Sequence, residues 1–398
     1  MPERRHAWPA GHWDWYQHLA FKHAVAAGDL IFVGGQVDKD LSGAPLHLHD
    51  LPAQTGAVVG HIDTVLRELG AGLRDVTRLV AFYATDGSVD ETAFLADVGR
   101  HVAARGGAPD GIGPAITAVP LPWLALPGMV VEIEAVAVVG DDGRRVARRA
   151  ATPAGLRPLP APFSHGLRCR EHVWVSGQTA GGTEAVDRVA RVLGDLGADL
   201  GDAVKVNVWF AAEGAAPEWE HAAQVRADRF PAPGPVALEL PTPHLAGRDT
   251  ARVDVWAMRG ADGARLPRRA AGAEAGWRWP FPLSYSTALE CGDLVFVAGQ
   301  LPLGPDGRVA ERDDLVAQTR RAMESTRRLL AAFDLDLQHM VKQGSFYLGA
   351  SRPEVIVANQ RLRSSYYAEP AGASTGVPLP FFPLDDVMVA IETIASRR

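Results

Sequence analysis

Leu30-Ile31-Phe32-Val33-Gly34-Gly35-Gln36 decides how this chain is read, because the same stretch occurs three times. It returns as Val173-Trp174-Val175-Ser176-Gly177-Gln178 and as Leu294-Val295-Phe296-Val297-Ala298-Gly299-Gln300. Each copy is a β-type apolar run ending in Gly-Gln. A helical pattern, a second β-run and a closing run of V-x-I-E type follow it. The segments LGAGLRDVTRL (69–79), LGADLGDAVKV (196–206) and FDLDLQHMVKQ (333–343) align without a gap and set the register of the copies. Repeats of this size are whole domains, not solenoid units.

The first copy runs over 18–140. Its helix carries Val58, Ile62, Val65, Leu66 and Leu69 on one stripe, with Gly70 as a stop. A strand over 76–85, a helix over 91–104 and a closing strand over 130–136 complete it. The second copy, 163–259, is shorter because the loop after Gln178 is nearly absent. Its helix carries Val186, Val189, Val192, Leu193 and Leu196, and its middle strand covers 204–210. The third copy, 281–398, has a helical stripe from Leu315 to Phe333 and strands over 340–348 and 387–394. Residues 1–17 form an aromatic extension with Trp8, Trp13, Trp15 and Tyr16, expected to dock as a cap. Residues 141–162 and 260–280 are expected to be linkers, with solvated arginine pairs at Arg148-Arg149 and Arg268-Arg269.

Net charge is −7, from 40 basic and 47 acidic residues, which argues against a general binder of nucleic acid or anionic membrane. No apolar run approaches the roughly 18 residues of a membrane span. The N-terminal stretch lacks the apolar core of a secretory signal. Cys169 and Cys291 each lie nine residues before the Gln of their repeat, and such related positions are expected to stay apart and unbridged. The cytoplasm is therefore the expected compartment. His47, His49 and Asp50 alternate in a way that could touch a metal, yet nothing supplies a further ligand at a recognisable spacing, so a solvated loop is expected.

The order of strands, the Gly-Gln turn, the "LGA-x-L-x-D-V" turn, the later "P-A" and the "V-x-I-E" strand resemble the reactive intermediate deaminase family (Rid, YjgF-like). The resemblance covers nearly the whole chain, three times over. It implies an α+β fold of three tandem Rid/YjgF-like (chorismate-mutase-like) domains. Family members close into trimers with ligand clefts at their interfaces, so one chain with three copies implies an intramolecular pseudo-trimer, a monomer in solution. The best-known family activity is hydrolysis of enamines and imines, such as 2-aminoacrylate, to keto acids and ammonia. Chorismatases look like distant relatives of the fold. No cofactor is implied, and the expected partner is a small-molecule substrate.

In deaminating members an Arg after "P-A" grips the substrate carboxylate through a bidentate pair. The first Glu of the V-E-I-E strand positions or activates water. Carried over position by position, the pattern breaks. Pro114-Ala115 is followed by Ile116, Pro235-Val236 by Ala237, and Pro370-Ala371 by Gly372, so the gripping Arg is missing from all three copies. The Glu position reads Glu132, Arg252 and Ala390, and the family Tyr is replaced by Phe21, Phe163 and Leu283. An Asn of the second helix persists as Asn359. The resemblance thus makes Glu132 the catalytic candidate. Arg252 is the substitute anion grip, and Trp123 and Phe381 are the apolar walls. Phe21, Tyr285, Asn359, Gly35 and Gln36 are the remaining binding residues.

Glu134 shares a face with Glu132 at i+2 and recurs as Asp254 and Glu392. A carboxylate kept in every copy is expected to make a shared structural contact. Three functions stay open at this point: an enzyme acting on an imine, enamine or related unsaturated carbonyl intermediate in a specialised biosynthetic pathway, a non-catalytic module that binds a small molecule or partner in the old clefts, and a chorismatase-like lyase or hydrolase.

Overall fold

Each Gly-Gln run becomes the third strand of a six-stranded sheet. The computed structural model describes every residue except 1–3, 15–16, 141–143, 215–218, 246–249, 272–280, 305 and 350–352. The first domain contains β1 (Arg5–Ala7), β2 (Ala24–Ala27), β3 (Leu30–Gln36), α1 (Leu51–Glu68), β4 (Val76–Ala84), α2 (Glu91–Ala104), β5 (Ala115–Leu121) and β6 (Val131–Val138). The second contains β7 (Arg148–Ala151), β8 (Gly166–Cys169), β9 (His172–Ala180), α3 (Glu184–Asp195), β10 (Ala203–Ala211), α4 (Trp219–Ala227), β11 (Val236–Thr242) and β12 (Ala251–Met258). The third contains β13 (Arg268–Ala270), β14 (Ala288–Cys291), β15 (Leu294–Gln300), α5 (Leu315–Ala331), β16 (Met340–Leu348), α6 (Pro353–Ser364), β17 (Ala373–Leu379) and β18 (Val389–Ser396).

The three sheets share one strand order, β1-β2-β3-β6-β4-β5 in the first domain, with a parallel β4–β5 pair and antiparallel neighbours elsewhere. The middle strands read as continuous apolar runs because both their faces are covered. Val58, Ile62, Val65 and Leu66 of α1 pack on one face, and the other domains cover the opposite face. Asp50 caps α1 by accepting a hydrogen bond from the Ala53 amide at 3.0 Å, and Asp314 caps α5 through Ala317 at 2.9 Å. Cys169 and Cys291 are buried, free thiols.

The segments expected as linkers are not simple linkers. β7 and β13 lie within them and β1 lies within the N-terminal extension, each pairing as the edge strand of the following sheet. Their arginines donate to backbone as well as meeting solvent: Arg149 and Arg269 stay exposed, as expected, while Arg148 and Arg268 are half-buried. Arg5 and Arg269 donate to Leu69 O and Ala332 O, each at 3.1 Å, and Arg149 donates to Asp195 O. Each thereby satisfies a carbonyl at the end of its own domain's first helix. The neighbouring arginine reaches the preceding domain: Arg148 to Val76 O at 2.8 Å and Arg268 to Ala203 O at 2.9 Å. Arg4 reaches His339 O of the third domain at 3.0 Å.

That last contact closes a ring. Parallel bridges join Ser164 to Ala115, Ser286 to Val236 and Lys22 to Ala373, so each domain meets the next and the first meets the third. Phe82, Trp209 and Phe346, at matching positions of β4, β10 and β16, meet on the approximate three-fold axis with ring centres 5.8–6.4 Å apart. A layer of charge surrounds the same axis. Lys342 meets Glu134 at 2.7 Å, Lys205 meets Glu392 at 2.6 Å, and Arg78 meets Asp254 at 2.9 Å. The carboxylate shared by all three copies is therefore a structural clasp, as its recurrence predicts.

Candidate active site

The ring creates three related clefts, one at each domain boundary, and the Gly-Gln turn lies beside each. The turn is a β-bulge: the register of β3 against β6 shifts between Val33 and Gln36, and the same shift recurs in the other sheets. Gln36, Gln178 and Gln300 each turn back to donate to a carbonyl of their own bulge, at 3.1, 2.8 and 2.9 Å. This bracing accounts for the persistence of the Gln. Gln36 also accepts from His12 Nε2 at 2.9 Å and does not border the cavity described next.

At the boundary of the first and third domains lies a cavity of about 490 Å³. The first domain contributes Glu132, Lys39, Phe21, Val37 and Met129, and the third contributes Tyr347, Gln360, Arg363 and Ser374. Glu132 comes from β6 and lies across the bulge, where a Cβ on Gly35 would stand 1.9 Å from its Oε1. Gly35 thus makes room for the carboxyl group. Burial pushes the Glu132 carboxyl up to about 8; Lys39 opposes the shift, nearby Glu134 adds to it, and Lys342 opposes it. Two positions further on, Glu134 is held down at about 2 despite its burial by Lys342 and Arg78, and it also accepts from Thr375 at 2.8 Å. Burial lowers the Lys39 amine against the pull of Glu132. The cavity wall therefore pairs an acid and an amine that are both moved toward their neutral forms.

Arg363 is the cation that sequence reasoning missed. It is 3% exposed and donates to Gln343 Oε1 at 2.9 Å and Ser374 Oγ at 3.2 Å. Its guanidinium carbon lies 5.5 Å from the ring centre of Phe21. Gly372, at the family Arg position, is crowded: a Cβ there would stand 2.6 Å from Met340 O. A signal did exist, since Arg363 lies one helical turn after Asn359. Asn359 itself is fully buried and turned toward α5, accepting from Thr319 Oγ1 at 2.9 Å.

The other two clefts carry different fillings. Between the first and second domains, Arg252 occupies the Glu132 position, and its guanidinium grips Glu91 with contacts of 2.7 and 2.8 Å. It also donates to Thr179 Oγ1 at 2.8 Å and to Ala118 O, while Tyr83 donates to Glu91 at 2.9 Å. Arg252 therefore does not join Glu132 as an anion grip in the 490 Å³ cavity. Between the second and third domains, Ala390 leaves an apolar pocket of about 30 Å³, room for about one water. Tyr285 lines it and donates to Glu239 at 3.1 Å; Glu239 is also held by Arg226 and by Trp219 Nε1.

Trp123 is 42% exposed and packs beside Gly349, outside the large cavity. Phe381 is half-buried and also outside it, while its neighbour Phe382 lines the small pocket. Trp13 is buried against His23 and Trp8 stacks nearby, as a docked cap requires; Trp15 and Tyr16 lie outside the described residues. His47 pairs with Asp38 at 2.7 Å and Asp50 is a helix cap. Among the described residues no group of three or more His, Cys, Asp or Glu could hold a metal. No helix there is long and apolar enough to cross a membrane.

The sequence pattern of the Endoribonuclease L-PSP family matches residues 16–139 and 282–396, the first and third domains. The chain belongs to this family. RutC family proteins of Pyrococcus abyssi and Pyrococcus horikoshii are 30% and 29% identical to it over 120 residues. Those stretches cover 30% of this chain and 91% or 92% of the relatives, so one relative corresponds to one domain. A chorismatase crystal structure superposes with a TM-score of 0.55 at 13% identity, covering 81% of this chain and 93% of its own. The likeness is one of fold. This Rid-type chain thus consists of three tandem domains closed into a pseudo-trimer, with the second diverged beyond the family pattern's matched stretches.

Proposed function

We propose that the cleft between the first and third domains is an active site for acid/base chemistry on a small, carboxylate-bearing imine, enamine or related unsaturated carbonyl compound. Glu132 carries this reading. It alone among the three equivalent positions keeps a carboxyl group, and it borders the 490 Å³ cavity in a form that holds its proton near neutral pH. In an imine hydrolysis the substrate carboxylate faces Arg363 and Ser374 on the third-domain wall. Glu132 donates its proton to the imine nitrogen, water adds to the carbon, and the amine leaves as the carbonyl forms. The reading needs no cofactor, nucleic acid or membrane, and it places the whole site within one chain.

The test is release of ammonia and keto acid from 2-aminoacrylate generated in situ. Wild type is expected to exceed buffer, and Glu132→Gln to lose roughly 10²-fold. Equal rates for the two proteins at the buffer level reject the imine version. Cleavage of chorismate is the second reading, favoured by a cavity volume suited to ligands larger than a three-carbon imino acid. Chorismate consumption with the same two proteins decides between them.

A further inference from the structure

A three-carbon imino acid would fill only a small part of the cavity of about 490 Å³. Cavities of about 300–1,000 Å³ enclose whole ligands of drug size. Helix α6 gives the unused part a direction. Ile356, Gln360 and Arg363 lie at i, i+4 and i+7 on one face of the helix, and all three border the cavity, as does Val357. Asn359 lies on the other side, buried against α5. Ile356 stands two helical turns before Arg363, about 10 Å along the axis. One wall of the cavity therefore begins with branched aliphatic side chains and ends on a guanidinium.

The guanidinium end is open to a ligand. Ser374 and Gly376 share a face of β17, and both border the cavity. A Cβ on Gly376 would stand 3.9 Å from Arg363 Nη2, so the fork lies beside a stretch of wall that carries no side chain. Phe21 occupies the family's Tyr position. Its ring centre, 5.5 Å from the guanidinium carbon, adds apolar surface without a hydroxyl group. Between β5 and β6 the first domain adds Leu126 and Met129 to the lining, again without charge.

We propose that the cleft takes 2-imino acids with a large apolar side chain, aryl or branched alkyl, whose carboxylate meets Arg363 and whose side chain runs along α6 toward Val357 and Ile356. This deepens the imine-processing reading and rests on it. One methylene more or less in an apolar pocket discriminates by about 10- to 200-fold, so a substrate that reaches the aliphatic end gains much over one that stops at the guanidinium. A charged side chain would surrender its water to aliphatic groups, which restricts the class to neutral ones. The products are ammonia and the matching aryl or branched 2-keto acid.

The experiment uses the full chain. An L-amino-acid oxidase generates the imines of L-phenylalanine, L-leucine and L-alanine in situ, and hydrolysis is followed against semicarbazide as a competing trap. kcat/KM for the phenylalanine and leucine imines is expected to exceed that for the alanine imine on the order of 10²-fold. Val357→Trp fills the cavity from α6 and Leu126→Trp from the first domain; each is expected to cut that ratio about tenfold. Calorimetry supplies a readout without turnover, and phenylpyruvate is expected to bind about 10²-fold more tightly than pyruvate. Equal kcat/KM for the three imines, or preference for the alanine imine, overturns the proposal and spares the imine reading. Tight phenylpyruvate binding with no hydrolysis of any imine rejects the imine reading and keeps the ligand class. Equal binding of the two keto acids with no hydrolysis removes both. A ratio unchanged in both tryptophan variants overturns the placement of the side chain along α6. The wild-type comparisons need no variant, so a folding defect in either one leaves them decisive.

Discussion

Arg252 and Glu91 face each other across the boundary of the first and second domains, with Nη2 2.7 Å from Oε1 and Nη1 2.8 Å from Oε2. They stand at the place that corresponds to Glu132 in the 490 Å³ cleft. A protein of three identical subunits must repeat one cleft three times, whereas a single chain can seal one interface with its own ion pair and keep another for chemistry.

Removing Glu91 leaves Arg252 buried without its carboxylate. Glu91→Ala is expected to lower stability to denaturant by about 3 kcal/mol. The double variant Glu91→Ala/Arg252→Leu should recover much of that loss, because the uncompensated charge goes with it. Equal losses in the single and double variants would show that the pair contributes nothing as a pair.

Gly35→Ala should abolish activity while sparing the fold. The added methyl would stand 1.9 Å from Glu132 Oε1, so the carboxyl group has to move. Circular dichroism and the melting temperature should change little. An active Gly35→Ala protein would mean that the position of Glu132 is unimportant.

Stability and activity should both respond to pH through Glu132. Its folded value of about 8 lies above the ordinary 4.5, so between them the native state holds a proton that the unfolded chain has released. This contribution is therefore fully present below about 4.5 and is lost as pH rises through about 8. Wild type should weaken relative to Glu132→Gln across that window in urea titrations, and catalysis that needs the acid should decline above it. Glu134 acts in the opposite sense: its folded value of about 2 gives stability present above 4.5 and lost as pH falls through about 2.

Arg363→Gln should raise KM more than it lowers kcat if the guanidinium holds the substrate carboxylate. Arg363→Lys should recover only part of the effect, since an ammonium cannot present a planar fork. Unchanged KM in Arg363→Gln would remove it from the binding wall.

Light scattering should report a single chain, because Arg4 and the bridge from Lys22 to Ala373 join the first domain to the third within one molecule. A stable assembly of three chains would contradict this closure.

Much of the fold was legible because it rests on local patterns. The helix expected over 91–104 is α2, the apolar stripe of Val58 to Leu66 faces the core, and the aligned turns fall at matching places in the three sheets. Glu134 was readable as a structural group from its recurrence alone. The edge strands β1, β7 and β13 were not legible. They are three or four residues long, and Arg5-His6-Ala7 or Arg268-Arg269-Ala270 carries no alternation of apolar and polar residues.

The repeated motif, the order of elements and the approximate ring were thus written in the chain, because backbone periodicity is a property of neighbours in sequence. Which cleft stays open was decided only by tertiary structure. Arg252 meets a carboxylate 161 residues away, and Glu132 shares its cavity with Arg363 of another domain. Desolvation, which pushes the Glu132 carboxyl up and the Lys39 amine down, exists only once those distant segments have closed around them.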